Sequence, residues 1–248
     1  MDGDILNNST FVRKEKKYLI SSEQRERLLE ILPEYMKFDK YCKGGNMYAV
    51  NNVYFDNDTY NIIRNSTSKP SYKSKLRIRC YKVETTEDDL VFLEMKTKFQ
   101  GVVNKRRLTL KYKDINDYLN TGIFPTNLTD HQIQVLKEID YEIKNTNAKP
   151  MVYLSYLRTA LYAKNDSTIR LTIDEDILAR TEEATLSSKR YGETLLPEGY
   201  YLMEIKVHGA FPIWLAHILS DLKIYPTSFS KYGKFYEKIV KGKGVNNE

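Results

Sequence analysis

Cysteine, glycine-rich motifs and long apolar runs are all scarce in this chain, and each scarcity closes off a class of function. Only Cys42 and Cys80 occur among 248 residues, with no motif around either. That argues against a disulfide scaffold and a cysteine-based zinc site, and makes a reducing, cytoplasmic setting the default. The 11 glycines form no Walker loop or other phosphate-cradling loop. The three histidines, His131, His208 and His217, share no metal-ligand spacing and read as structural. No Ser/His/Asp arrangement is present. The longest apolar stretch near any helix, FPIWLAHIL, is too short to span a bilayer, and the mean hydropathy is -0.55. The N-terminal MDGDILNNST is polar and acidic, unlike a signal peptide. No linker, low-complexity segment or internal repeat divides the chain, so it reads as one domain over 1–248 with a core near 10–240.

What the chain has in surplus is positive charge. Lys and Arg number 39 against 33 Asp and Glu, a formal net charge of +6. A polyanionic partner follows, and the surplus alone does not choose among nucleic acid, nucleotide, phosphate polymer and membrane surface. Tyrosine is abundant, with 20 residues. Stacking of single-stranded bases is one use for tyrosines among cations. Packing of sheet against helix is the commoner one.

Helix signals are few. Ser21 with Gln24 makes a capping box before EQRERLLEIL, and Thr129 with Gln132 makes another before Ile133, Leu136, Ile139 and Ile143. Asp114 is expected to cap INDYLNT, which Gly122 stops. Pro212 suits the first turn of IWLAHILSDL, and Ser230 is expected to cap KYGKFYEKIVK. Between these lie eight strand-like segments: VRKEKKYLI, AVNNVYFD, SKLRIRCYK, LVFLEMKTK, KRRLTLKY, PMVYLSYLRTALYAK, STIRLTIDED and YYLMEIKVH. Eight strands can close into a barrel. The predicted fold is α+β, an antiparallel sheet closed or nearly closed with helices packed outside.

Alternation sorts the charges. In KSKLRIRCY, Lys75, Arg77 and Arg79 point one way and Leu76, Ile78 and Cys80 the other. Phe92, Glu94 and Lys96 share a face, as do Tyr156 and Arg158, Arg170 with Thr172 and Asp174, Glu204 with Lys206, and Arg13 with Glu15 and Lys17. For one strand this is an ordinary wet face. Across the whole sheet the charged faces are biased to Arg and Lys. Same-face neighbours on a strand stand ~6.8 Å apart, where two like charges cost about 2.4 kcal/mol at an effective dielectric near 20. If the sheet closes with these cations inward, it requires an anion, and the few carboxylates suggest a divalent metal beside it.

The ordered set KYLI, YFDN, KLRIRCY, FLEMKTK with GVVNKRR, SYLRTA, RLTIDEDI, LMEIKV and FSKYGKFY resembles the VTC domain. That is the catalytic domain of vacuolar transporter chaperone-type polyphosphate polymerases, in the triphosphate tunnel metalloenzyme or CYTH superfamily. The resemblance, to a stand-alone bacterial-type member, runs from about Thr10 to Val240. It implies an eight-stranded tunnel that binds ATP and inorganic polyphosphate with Mn²⁺ or Mg²⁺, and transfer of the γ-phosphate of ATP to a growing chain with release of ADP. Carried over by motif, the phosphate-binding residues are Lys17, Arg77, Arg79, Lys96, Arg158, Arg170, Ser230 and Lys231. KRR supplies one more cation: Arg106 fits the spacing from Gly101, and Lys105 and Arg107 remain open. Of these, Arg77, Arg79, Lys96, Arg158, Arg170 and Lys231 are the catalytic set. Glu204 is the implied metal ligand, with Glu15 and Glu94 as neighbours. Asp174 and Asp176 are further candidate ligands, with a solvated strand-end turn the commoner reading of such an acidic pair. Hydrolytic relatives carry ExExK on the first strand, where this chain reads Arg13-Lys-Glu15-Lys-Lys17. That departure favours the polymerase branch over a metal-dependent tripolyphosphatase. A non-catalytic polyphosphate-binding module is the third reading. No nucleic acid partner is expected. A partner membrane protein is compatible, since the eukaryotic machines couple synthesis to a membrane channel.

Overall fold

A computed structural model describes residues 13–42, 45–68, 71–100 and 102–244. Val12, the expected start of the first strand, and Gly101 lie outside the described residues. The chain begins with β1 (Arg13–Ser21), α1 (Ser22–Tyr35), β2 (Met36–Phe38), β3 (Tyr48–Asp56) and α2 (Asn61–Thr67). It continues with β4 (Tyr72–Cys80), β5 (Leu90–Phe99), β6 (Val102–Lys111), α3 (Tyr112–Thr121) and α4 (Asp130–Thr146). It ends with β7 (Lys149–Ala163), β8 (Arg170–Arg180), β9 (Glu193–Thr194), β10 (Tyr200–His208), α5 (Ile213–Asp221), β11 (Pro226–Thr227) and α6 (Lys231–Gly244). The eight expected strands are present, as β1, β3 to β8 and β10. The three short strands and α2 were not expected.

These elements form two compact units. The first takes the described residues of Met1–Met47, Thr159–Glu175 and Glu198–Ser228. Here β10 lies between β1 and β8, β11 adds to β1, and β2 pairs with the last residues of β7, all antiparallel. Helix α1 starts at the expected capping box: Ser21 Oγ accepts from Gln24 N–H and Gln24 Oε1 from Ser21 N–H. Its Leu28 and Leu32 are fully buried with Ile20, Leu171, Met203, Ile205 and Leu215. Each such side chain contributes about 1.5–3 kcal/mol of transfer free energy. Tyr35 of α1 stacks on Trp214 of α5 with centroids 4.6 Å apart. Pro212 is the N-cap of α5, one position ahead of the expected first turn.

The second unit takes the described residues of Tyr48–Arg158, Asp176–Pro197 and Phe229–Glu248. Its strands run β7-β3-β4-β5-β6, every neighbour antiparallel. The predicted alternation in β4 holds: Leu76, Ile78 and Cys80 are buried, joining Leu93, Leu108, Ile115, Leu136 and Ile139 in a core capped by α3 and α4. Thr129 and Gln132 form the second capping box, and Gly122, at φ 72°, ends α3 in the left-handed region. Asp114 does not cap α3. That helix starts at Tyr112 behind Lys111, and Asp114 lies in its first turn. Tyr112 is buried in the core, so β6 passes into α3 without a polar cap.

The closed barrel does not form among the described residues. β6 pairs only with β5 and β11 only with β1. Both strands resist a further partner. β11 has two residues, one of them a proline without an N–H. β6 carries Lys105, Arg106, Arg107 and Lys111, the kind of charge that blunts sheet edges. No described helix is long and apolar enough to cross a membrane.

Candidate functional site

Pairing of β4, β5 and β6 stacks three rows on one face of the second unit. Lys75, Lys96 and Lys105 form one row, Arg77, Glu94 and Arg107 the next, and Arg79, Phe92 and Thr109 the third. Glu94 organises this face. It is 2% exposed, and both its oxygens are taken. Oε2 accepts from Arg77 Nε at 2.8 Å and faces Arg77 Nη2 at 2.7 Å. Oε1 accepts from Arg107 Nε at 2.6 Å and faces Lys105 Nζ at 2.6 Å. Burial alone would raise the Glu94 pKa, but Arg77, Arg79 and Lys105 outweigh it and hold the carboxyl well below the usual range. Both oxygens of Glu94 thus anchor cations of the ladder, Arg77 on one side and Lys105 and Arg107 on the other.

Aromatic side chains hold the remaining cations. Tyr156, nearly buried, is a hub: Arg79 Nη2 donates to its hydroxyl at 3.4 Å, while Arg158 and Lys231 stand 5.0 and 4.4 Å from its ring centroid. Arg79 also donates to Asn52 Oδ1 at 2.7 Å. Arg107 lies 4.6 Å from the Phe92 centroid. Tyr54 accepts from Arg77 Nη1 at 3.1 Å. Burial would raise the Tyr54 pKa, but Arg77, Arg79 and Lys75 bring it down to about 8.

Helix α6 delivers Ser230 and Lys231 to the same unit. Ser230 Oγ accepts from Gly233 N–H at 3.2 Å, the expected cap, and from Lys75 Nζ at 3.4 Å. A Cβ at Gly233 would come within 3.1 Å of Ser230 Cβ, so a side chain there crowds the cap. The helix start is a favourable place for an anion.

The three KRR cations divide between the two faces of the ladder. Arg106 lies opposite Met95 and donates to Glu138 of α4 at 2.6 Å, on the helix-covered face. Lys105 and Arg107 point to the face of Glu94.

The first unit carries a second charged face. Glu15, Lys206 and Arg170 are in register across β1, β10 and β8, and Lys17, Glu204 and Thr172 form the adjacent row. Lys17 stands 3.8 Å from Glu15 and 4.0 Å from Glu204, and Lys206 pairs with both carboxylates. The hydroxyl of Thr172, in register with Glu204, is buried without a hydrogen-bond partner. No cluster of three or more Asp, Glu, His or Cys with metal-binding geometry occurs among the described residues. Glu15 and Glu204 could hold a divalent ion whose other positions went to water and phosphate oxygens, the usual manner for Mg²⁺. The donor set fits an ion of that kind. Asp174 and Asp176 are not a strand-end turn. They lie inside β8, Asp174 with no exposure and Asp176 paired with Arg190.

Tyr54, Asn52, Asp56 and Tyr232 were not anticipated. The sequence carried a signal for the first three: Asn52, Tyr54 and Asp56 alternate along β3, where the opposite parity is apolar except for Asn51.

The VTC domain profile matches residues 12–240, spanning both units. Subunit 4 of the vacuolar transporter chaperone complex of Trypanosoma cruzi is 24% identical, with 95% of this chain covering 34% of that protein. The Schizosaccharomyces pombe subunit 4 is 23% identical, with 77% of this chain covering 32% of it. The chain thus spans about a third of the length of these curated relatives. Among solved structures, one described as a candidate adenylate cyclase of Bacillus halodurans superposes with a TM-score of 0.53 at 17% identity, covering 89% of this chain and 94% of that one. That likeness is one of fold alone. The two charged faces, the ordered motifs that build them and a profile match over nearly the whole length place this chain in the VTC domain family.

Proposed function

We propose that this chain is an ATP-dependent polyphosphate polymerase. A terminal oxygen of the polyphosphate chain attacks the γ-phosphorus of ATP, the bond to the β–γ bridging oxygen breaks, and ADP leaves. The observation that carries this reading is the crowding of cations on the second unit: Arg77, Lys105 and Arg107 on the buried Glu94, Lys96 and Arg79 in the rows on either side, and Arg158 and Lys231 on Tyr156. Phosphoryl transfer asks for positioning and charge neutralisation more than for covalent chemistry. Arg forks hold phosphate oxygens bidentately, and the Tyr and Phe faces keep the forks aimed. On the first unit, Lys17 and Arg170 take phosphate oxygens, and Ser230 and Lys231 take them at the start of α6.

Glu204, with Glu15 beside it, would hold Mn²⁺ or Mg²⁺, which when bound neutralises phosphate charge. Assembly with partner subunits, a membrane protein among them, belongs to the same reading, because the relatives are named as complex subunits.

The test is to incubate purified protein with ATP and manganese and to assay ADP, free phosphate and long-chain polyphosphate together. ADP rising in step with polymer supports the polymerase. Free phosphate without polymer replaces it with a metal-dependent triphosphatase, which the paired carboxylates Glu15 and Glu204 would equally serve. Neither product, with polyphosphate binding intact, leaves a binding module.

A further inference from the structure

The β4–β5–β6 ladder continues beyond its lysine row to the strand ends, where the proposed chemistry does not need it. There Lys73 lies opposite Lys98, and Lys98 opposite Val103. With Lys75, Lys96 and Lys105 in the adjacent row, five lysines occupy two successive rows. No Asp or Glu occurs in the strand segments 72–75, 96–99 and 102–105. Like charges directly across a ladder destabilise it. Lys73, Lys96 and Lys98 have no ion-pair partner among the described residues.

The opposite face of the same end carries exposed apolar side chains at its last row. Tyr72, Phe99 and Val102 are in register across the three strands. Phe99 is 54% and Val102 72% exposed, Tyr72 is 47% exposed with its hydroxyl donating to Glu142 of α4, and Val103, on the lysine face next to Val102, is 51% exposed. Isolated exposed apolar residues are common, but four grouped at one strand end beside a row of lysines mark an interaction surface.

We propose that this end of the ladder docks on an anionic lipid surface. The apolar side chains enter the boundary between headgroups and acyl chains, and the lysines extend their stems to lipid phosphates. A free polyanion would satisfy the lysines and leave the apolar side chains in water. An anionic lipid surface meets both halves of the patch. The surface is separate from the residues assigned to phosphoryl transfer, apart from the shared row of Lys75, Lys96 and Lys105.

The test is co-sedimentation of the full chain with vesicles of mixed phosphatidylcholine and phosphatidylserine, and with vesicles of phosphatidylcholine alone. Binding to the mixed vesicles only is expected. The Phe99→Ser/Val102→Ser and Lys73→Gln/Lys98→Gln variants should each weaken it by about tenfold or more. Circular dichroism checks that each variant is folded. If the serine variant is not, Val102→Gln, at the most exposed of the four positions, replaces it. Absence of wild-type sedimentation overturns the proposal, as does full binding by either folded variant. Loss in the lysine variant with full retention in the serine variant, together with release by added polyphosphate, would show that the lysines hold a free polyanion and no membrane.

Discussion

The hydroxyl of Tyr232 donates to Oδ2 of Asp56 at 2.7 Å, and Asp56 has no solvent exposure. The same carboxylate accepts from the backbone N–H groups of Asn57, Ile62 and Ile63. One buried anion therefore holds the start of α2 and pins α6, whose first residue Lys231 and cap Ser230 immediately precede Tyr232. Burial, and then Asp56, push the Tyr232 phenol well above its ordinary value, so it remains a donor at working pH.

Tyr232→Phe keeps the ring and removes the donor. A hydrogen bond to a charged acceptor contributes about 1.5–3 kcal/mol, so the midpoint of urea unfolding should fall by that equivalent with an unchanged slope. An unshifted midpoint would mean that the bond does not hold α6.

Arg77→Ala and Arg106→Ala separate the two faces of the β4–β5–β6 ladder. Arg77 lies with Glu94 and Tyr54, and its loss should abolish ADP release from ATP in a protein that still folds by circular dichroism. Arg106 serves a partly exposed pair with Glu138, so its loss should cost about 1 kcal/mol or less and leave turnover intact. Turnover retained by folded Arg77→Ala would remove that residue from the site.

Tyr54 should titrate unlike an ordinary tyrosine. Its folded-state pKa of about 8 lies below the unfolded value of 10.0. Between the two the unfolded chain binds more protons, so this group adds stability as pH rises from about 8 to 10. The phenolate that forms also offsets the charge of Arg77, so affinity for tripolyphosphate should fall as pH passes through about 8. Ultraviolet titration should show one early phenolate that Tyr54→Phe removes. All tyrosines ionising near 10 would contradict the placement of Tyr54 among three cations.

Glu94 contributes in the opposite pH range. Its folded-state pKa is depressed below the unfolded 4.5. The stability it adds is therefore complete above that value and is lost as pH falls below it. Glu94→Gln should lower stability by about 2–3 kcal/mol at neutral pH, because Arg77 and Arg107 lose a buried anion. It should also flatten the decline in stability between about pH 5 and pH 3. An equally steep decline in the variant would place the acid sensitivity elsewhere.

Much of this molecule was legible before its structure. Period-two alternation in SKLRIRCY sends Leu76, Ile78 and Cys80 inward and Arg77 outward whatever the neighbours are, because strand geometry is local. Both capping boxes and the Ser230 cap are likewise contacts between residues three apart. Three consecutive cations in KRR defeat the same reasoning. Each parity puts a cation on either face, and only the β5–β6 register, which sets Glu94 across from Arg107, assigns Arg106 to α4. Asp56 reads as a turn residue at a strand end, and its partner Tyr232 is 176 positions away. The strands β2, β9 and β11 are two or three residues long, too short for any period, and exist only because a longer strand offers them an edge. The closed barrel was inferred from a count of eight strands, but closure depends on whether the two edge strands meet, and a two-residue strand with a proline at one edge does not provide the pairing. The residue types, their alternation and their local caps were thus determined by the sequence itself. The row in which each charge sits, the anchor beneath α6 and the open sheet were decided by tertiary structure, because each depends on partners brought together only when distant segments of the chain pack.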